Sequence, residues 1–521
     1  MRQNKNVLFL AVVVLAGVLT MTTCGGVETP DIPGAPTIEE IYVENRELVI
    51  TWSAVSNAVT YNLYWNTTGG VDTSDGKISG LLVPYYVHSG LSLFKTYSYA
   101  VTAVNAGGES GLSSEMSALS ALTPEELYKR LASDAEDNDR FGRSVALDGD
   151  HAIVGANLED GAGGSDRGAA YVLDRDEGGT NNWGEVKKLT ASDAADGDQF
   201  GTSVSISGGT TVVGAPYEDS GGTDSGAAYI FYRDRDGEDN WGEEAKLIAS
   251  DAESGDLFGW SVAISSNFVV VGAPYEDSGG ADSGAAYVFF RNQDGENNWG
   301  QVAKLTASDA ADGDHFGISV AISGDFVLVG ANFGDGLEAD CGAAYIFDRN
   351  QGGDDTWGQV TKLTASDGQS VDMFGYSVTL DGDYVVVGAA GKLGGGFLRG
   401  AAYVFFRNQG GDDNWGEVVK LTASDTQDMD YFGYSVAIDG NYLIVGATGK
   451  WGDGIFRGAA YIYDRHRGGT DNWGEVMKLT ASDPEDGAYF GNSVAISGNY
   501  AIVSAEGEDG GGTDRGVIYI F

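Results

Sequence analysis

From residue 125 to residue 521, apolar and polar positions alternate in short bursts. In "FGTSVSIS", "TTVVGAP" and "GAAYIFYR" the apolar side chains recur every second residue, and after a polar stretch "NWGEEAKLIAS" alternates again. A period of two puts successive side chains on opposite faces of a strand, and Gly, Asp and Asn between the bursts supply the turns. Each unit therefore predicts four short strands. The unit recurs: Phe-Gly stands at Phe141, Phe200, Phe258, Phe316, Phe374, Phe432 and Phe490, in steps of 59 and then 58 residues. Seven four-stranded sheets at a fixed period predict an all-β, seven-bladed β-propeller. An open solenoid would need capping units at both ends, and none is visible.

The phase of the repeat predicts how the ring closes. "EELYKRLASD", ahead of the first Phe-Gly, matches a fourth strand without its first three, and the last copy stops at "GVIYIF" after its third. Leu127–Ala132 is expected to pair antiparallel with Gly516–Phe521, so that residues 125–132 complete the last blade and no edge is left open. The dipeptide "FG" followed by "GAP" (Gly214–Pro216 and Gly272–Pro274) resembles the FG-GAP repeats of the integrin alpha-subunit propeller and its bacterial relatives, over about 395 residues. The resemblance implies extracellular ligand binding or adhesion, usually with calcium. One feature departs from it. The family holds calcium in a long Asp-rich loop between strands one and two, whereas here that loop is only "SGG", "SGD" or "DGN".

Residues 34–120 alternate differently. "ELVITWSAV", "TYNLYWN" and "TYSYAVTAVNAGGES" read as strands, with Trp52 facing inward. That strand, the Leu91–Tyr97 corner and "VTAVNAGGES" resemble a fibronectin type III domain, which implies a β-sandwich acting as a spacer. Further upstream, Arg2 and Lys5 precede "VLFLAVVVLAGVLTM", a secretory signal over residues 1–23 that is too short for a stable membrane span. "MTTCGG" resembles a lipoprotein cleavage box with Cys24 as the lipidated residue, and 24–33 is a linker. The expected location is the bacterial or archaeal cell surface, with membrane contact only through that anchor. Cys341 is the one other cysteine, so the mature chain has no internal disulfide.

Charge narrows the partners. Seventy-seven acidic residues against 30 basic ones give a net charge of -47, which repels nucleic acid. Four histidines (His88, His151, His315 and His466) lie outside any repeated motif, so neither a nucleophilic triad nor a His-rich metal centre is expected. The strongest candidate site is the loop entering each blade, where carboxylates recur at relative positions one, four and six. The candidate calcium ligands are Asp134, Asp137 and Asp139; Asp193, Asp196 and Asp198; Asp251 and Asp256; Asp309, Asp312 and Asp314; and Asp425, Asp428 and Asp430. Calcium takes six to eight oxygens, which closely spaced Asp and backbone carbonyls can supply. The competing reading is that these Asp cap tight turns through their own backbone.

A second candidate lies between strands two and three. Most copies are acidic there ("PYEDSGGTDS"), but the fifth and sixth read "GKLGGGFLRG" and "GKWGDGIFRG". Lys392, Leu393, Phe397, Leu398, Lys450, Trp451, Ile455 and Phe456, joined by Tyr431 from the next entry loop, form an expected ligand-binding sector. The recurrent Trp183, Trp241, Trp299, Trp357, Trp415 and Trp473 are expected to pack between blades. The resulting reading is a monomeric, non-catalytic adhesion or ligand-binding protein whose propeller face takes an extracellular protein or glycan. The alternatives are an extracellular polysaccharide-acting enzyme using loop carboxylates and a structural envelope protein.

Overall fold

The computed structural model describes residues 30–521, apart from 45–46, 90, 92–94, 121–125, 162–163, 236, 238, 294, 296–297, 394–396, 451–455 and 470. Residues 1–23, expected to be a signal segment, and Cys24 lie outside the described residues. Every regular element among the described residues is a β-strand, and no helix there is long and apolar enough to cross a membrane. The chain divides into two compact units, one ending at Ser120 and the other at Phe521.

The first unit is a β-sandwich. One sheet orders Ile38–Glu44, Glu47–Trp52 and Tyr85–His88; the other centres on Thr60–Asn66 and Lys95–Asn105. Leu48, Ile50 and Trp52 from the first sheet meet Tyr61, Leu63, Tyr99 and Val101 from the second in one core. Trp52 packs edge-on to Tyr61 with ring centroids 5.6 Å apart. Leu91 and Tyr97 are both buried in this core.

The second unit is a closed ring of seven four-stranded antiparallel sheets. Blade 1 runs Ser144–Asp148, His151–Ala156, Ala169–Asp174 and Gly184–Leu189, in that order across the sheet. Blades 2 to 6 repeat this order, with first strands starting at Ser203, Ser261, Phe316, Phe374 and Phe432. The seven first strands contact one another in succession, and the seventh returns to the first. Blade 7 takes three strands from the end of the chain and its outer strand, Tyr128–Arg130, from the start of this unit.

That outer strand pairs antiparallel with Val517–Ile520, with Tyr128 opposite Ile520 and Arg130 opposite Ile518, and the Leu127 N–H extends the ladder to the Ile520 carbonyl at 2.8 Å. The ladder is shorter than Leu127–Ala132 against Gly516–Phe521. At one end Gly516 has left-handed backbone (φ 78°) and Arg515 accepts from the Phe141 N–H instead. At the other, Phe521 exchanges both backbone hydrogen bonds with Ala501.

Period-two alternation makes each blade apolar on both faces. Val212 packs toward blade 3 while its neighbour Val213 packs toward blade 1. The same pattern closes the ring, since Ile502, Ile518 and Ile520 of blade 7 share a core with Val154 and Tyr171 of blade 1. Phe-Gly is the joint. Phe200 is fully buried against Tyr229, with ring centroids 5.5 Å apart, and Gly201 (φ 94°) brings its carbonyl against Gly155 of the preceding blade. A Cβ on Gly201 would collide with the Ala169 carbonyl, and one on Gly155 with the Gly201 carbonyl. The repeated Phe-Gly and Gly-Ala thus reflect one close backbone approach between blades.

The tryptophans are interblade residues. All six are buried. Trp183, Trp241, Trp357, Trp415 and Trp473 each meet a ring at the start of the previous blade's second strand: Tyr500, His151, Phe268, Phe326 and Tyr384. Arginines lie over several of these rings, as Arg349 does over Phe268 at 4.7 Å.

Candidate functional site

The entry-loop carboxylates occupy three positions, each in its own environment. The first is held by the third and fourth strands. Asp193 accepts from the Tyr229 hydroxyl at 2.8 Å and pairs with Lys246 Nζ at 2.6 Å. Asp134 does the same with Tyr171 and Lys188, Asp309 with Tyr345 and Lys362, and Asp425 with Tyr461 and Lys478; Asp251 pairs with Lys304. Partial burial pushes these acids up, but the lysine and tyrosine partners outweigh it and each is lowered, Asp425 to about 2.

The second carboxylate points to solvent. Asp137, Asp196 and Asp428 pair with Arg515, Arg167 and Arg399 at 2.7–2.9 Å, and Asp312 accepts the Ala281 N–H at 3.0 Å. The third is buried. Asp139, Asp198, Asp256, Asp314 and Asp430 each accept the N–H of the residue three positions back, at 2.6–2.9 Å. Burial raises all five, and the neighbouring Glu159 and Glu276 help push Asp139 and Asp256 up to about 6.

These fourteen aspartates were expected to ligate calcium within their loops. Each has a protein partner, and among the described residues no three His, Cys, Asp or Glu form a group that could hold a metal ion. In each loop the lysine ammonium already supplies the positive charge.

The loop between strands two and three sends one side chain inward beside this cluster. In blades 1, 2, 3 and 7 it is Glu159, Glu218, Glu276 or Glu508, which accepts from the blade's lysine at 2.7–2.8 Å. In blade 4 the position is Gly334. In blades 5 and 6 it is Lys392 or Lys450, and here the expectation of a ligand-binding surface is corrected. Both lysines are buried against fully buried acids, Lys392 to Asp372 at 2.6 Å and Lys450 to Asp430 at 2.8 Å. Each also donates to the carbonyl of its own entry loop, Asp367 or Asp425. They neutralise the interior and are unavailable to a partner.

The rest of the expected sector divides. Phe397 is 59 % exposed, while Leu393, Leu398, Phe456 and Tyr431 are half-buried. Backbone bonds tie these loops to the next entry loop: Met429 N–H to Phe397, Tyr431 N–H to Leu398 and Tyr489 N–H to Phe456. Trp451 and Ile455 lie outside the described residues.

A different set of residues converges at the channel mouth. The residue after each Phe-Gly lies at or beside the start of the blade's first strand, and Arg143, Thr202, Trp260, Ile318, Tyr376, Tyr434 and Asn492 together line one opening. The residue before each Phe-Gly is Arg140, Gln199, Leu257, His315, Met373, Tyr431 or Tyr489, all in left-handed backbone with φ between 52° and 56°. Between blades 6, 7 and 1 these two rows border a cleft of about 640 Å³, walled by Tyr431, Tyr434 and Tyr489 with Thr448, Asn492 and Glu506. Tyr376 packs on Tyr434 (5.0 Å) and Phe456 stacks on Tyr489 (6.0 Å, 23°). Arg143 pairs with Glu506 at 3.5 Å, and Asn492 Nδ2 donates to the Arg143 carbonyl at 3.2 Å. A search for recurring acids passes over these positions, because their signal is the reverse: an invariant dipeptide flanked by two positions that differ in nearly every copy.

A closed seven-bladed propeller with a ligand-sized cleft at its mouth defines the class. The family model described as the FG-GAP repeat matches residues 125–173, 183–231, 241–289, 299–347, 357–405, 415–463 and 473–521, and the chain belongs to that family. Each matched unit begins just ahead of the outer strand of one blade and ends at the third strand of the next, the offset that the closure of blade 7 requires. No curated protein matches the chain. Among solved structures, it is similar to an Fn3-like protein from Clostridium thermocellum, at 24% identity over 17% of this chain and 92% of that one, with a TM-score of 0.15. A structure titled FN3tt mut matches at 25% identity over 18% of this chain and 97% of that one, also with a TM-score of 0.15. A beta-1,2-glucanase from Parabacteroides distasonis matches at 23% identity over 19% of this chain and 14% of that one, with a TM-score of 0.16.

Proposed function

We propose that this chain is a non-catalytic binding protein of the cell exterior, with the ligand taken at the channel-mouth face of the propeller. The sandwich serves as a fibronectin type III-like spacer, behind a secretory segment at residues 1–23 and a lipid attachment at Cys24. The observation that carries the reading is the division of labour within the repeat. Positions that recur from copy to copy (Phe-Gly, the tryptophans, the Tyr–Asp–Lys cluster) serve packing and charge balance. Positions that vary flank Phe-Gly and gather at one opening, as expected of a rigid scaffold presenting variable contacts.

The acids with raised pKa favour binding over hydrolysis. They recur in six blades, five as entry-loop aspartates held by their own loop backbone and the sixth as Glu508 held by Lys129, and none of them lines the mouth cleft. Adhesion is the role that the integrin-type resemblance implies, and lysine-filled entry loops support a calcium-independent form of it. Retention of the full chain on surface polysaccharides and surface proteins, read together with release of reducing ends, tests the proposal. Retention without release is expected, and release of reducing ends would overturn it.

A further inference from the structure

We infer that the cleft between blades 6, 7 and 1 is a binding site for a neutral oligosaccharide, an inference that rests on the binding role proposed above. Its volume of about 640 Å³ falls among small-ligand sites rather than flat protein-docking surfaces. Its walls combine apolar faces with polar tips. Tyr431, Tyr434 and Tyr489 present rings, and two of these are backed by a second ring, Tyr376 behind Tyr434 and Phe456 behind Tyr489. Such rings match the C–H faces of a sugar at low entropic cost, while their hydroxyls remain hydrogen-bonding groups. Asn492 uses its Nδ2 on the Arg143 carbonyl, which leaves Oδ1 as an acceptor, and Thr448 adds a hydroxyl.

The charges argue for a neutral ligand. The Arg143 guanidinium is paired with Glu506, and Asp486 on the rim is paired with Arg457 at 3.0 Å. Asp509 accepts the Asp514 N–H at 3.3 Å, and Arg140 brings a positive charge to the same rim. Asp514 lines the same rim, so beyond the two ion pairs Asp509 and Asp514 face the single Arg140, which leaves no concentrated positive site for an anion and only a small acidic excess. What remains is aromatic surface and neutral donors and acceptors, spaced along a cleft continuous with the channel mouth through Tyr434 and Asn492.

The test is calorimetric titration of the full chain with neutral gluco-, manno-, xylo- and N-acetylglucosamine oligomers. At least one series should bind, and Tyr489→Ala, at a residue 41 % exposed, should weaken it by about tenfold or more with an unchanged melting temperature. Tyr431→Ala should act likewise, and Phe397→Ala should leave binding intact. Absence of binding by every series up to about 10 mM, or binding indifferent to both tyrosine variants, overturns the assignment. A protein ligand insensitive to Tyr489→Ala would also overturn it while leaving the wider binding role standing. Hydrolysis of the oligomers would overturn the wider role.

Discussion

Blades 2 and 5 share their strand register but differ in the charge balance of their interiors. In blade 2 the cluster beneath the entry loop contains Asp193, Asp198, Glu218 and Lys246, three carboxylates against one ammonium. In blade 5 the same places hold Asp367, Asp372, Lys392 and Lys420, two of each sign. One substitution, Glu for Lys at the inward-pointing loop position, changes the balance. Blade 2 tolerates its surplus because Asp198 is shifted upward by burial and the nearby Glu218, which favours its protonated form. Blade 5 compensates with a buried ion pair. A repeat can therefore keep its fold and alter its internal electrostatics blade by blade, and charge sign alone does not mark a ligand site.

Removing a lysine outright is the most disruptive way to break this comparison, and in blade 7 it also opens the ring. Deleting residues 125–132 takes Lys129 away from Asp483 and the buried Glu508 and exposes the Val517–Ile520 edge. We expect aggregation or loss of cooperative unfolding in calorimetry. An unchanged transition would contradict the closure.

Lys392→Met is the next largest. It leaves Asp372 buried without its cation, and by analogy with other broken buried pairs should cost about 3–5 kcal/mol in denaturant titration. Lys392→Glu should cost less, because Lys420 can hold the new carboxylate as Lys246 holds Glu218. Equal losses would show that the position is not exchangeable between blades.

The pH profile sharpens the contrast. Asp139 and Asp256 rise from 3.8 to about 6 on folding, so the stability they contribute is full below 3.8 and is lost as pH rises through 6. Asp367 and Asp425 fall to about 2; their contribution is present above 3.8 and lost as pH falls toward 2. Melting temperature should therefore climb from pH 7 to a maximum at about pH 4–5 and drop below it. Asp256→Asn should reduce the upper limb, part of which remains with Asp139, without moving the lower one.

The smallest effect concerns calcium. With Lys246, Lys304 and Lys362 already seated on the first carboxylates, calcium up to about 10 mM should shift the melting temperature no more than magnesium at equal ionic strength. A calcium-specific rise would mean that the ion displaces these lysines.

Much of the architecture is local and periodic, and so is legible in the chain. Alternation sets the strands, the 58-residue step sets seven copies, and the displaced "LYKRLA" segment announces the closing strand. The tryptophans could be placed between blades because bulky apolar residues at a repeated position need a repeated partner. What the chain does not display is which side chain reaches which interior. Lys392 and Lys450 sit among Gly, Leu, Phe and Trp, a setting that reads as exposed and adhesive. Folding turns them inward toward Asp372 and Asp430, 20 residues upstream. The mouth cleft is also invisible locally, because Tyr431, Tyr434, Tyr489, Asn492 and Arg140 come from three blades that meet only when the ring closes. Sequence by itself determined the repeat and its strands because hydrogen-bonded pairing and alternation are short-range. Tertiary structure decided the charge partners and the cleft, because the first depend on how the loops of one blade fold over its outer strands and the second on contacts between consecutive blades and between the two ends of the ring.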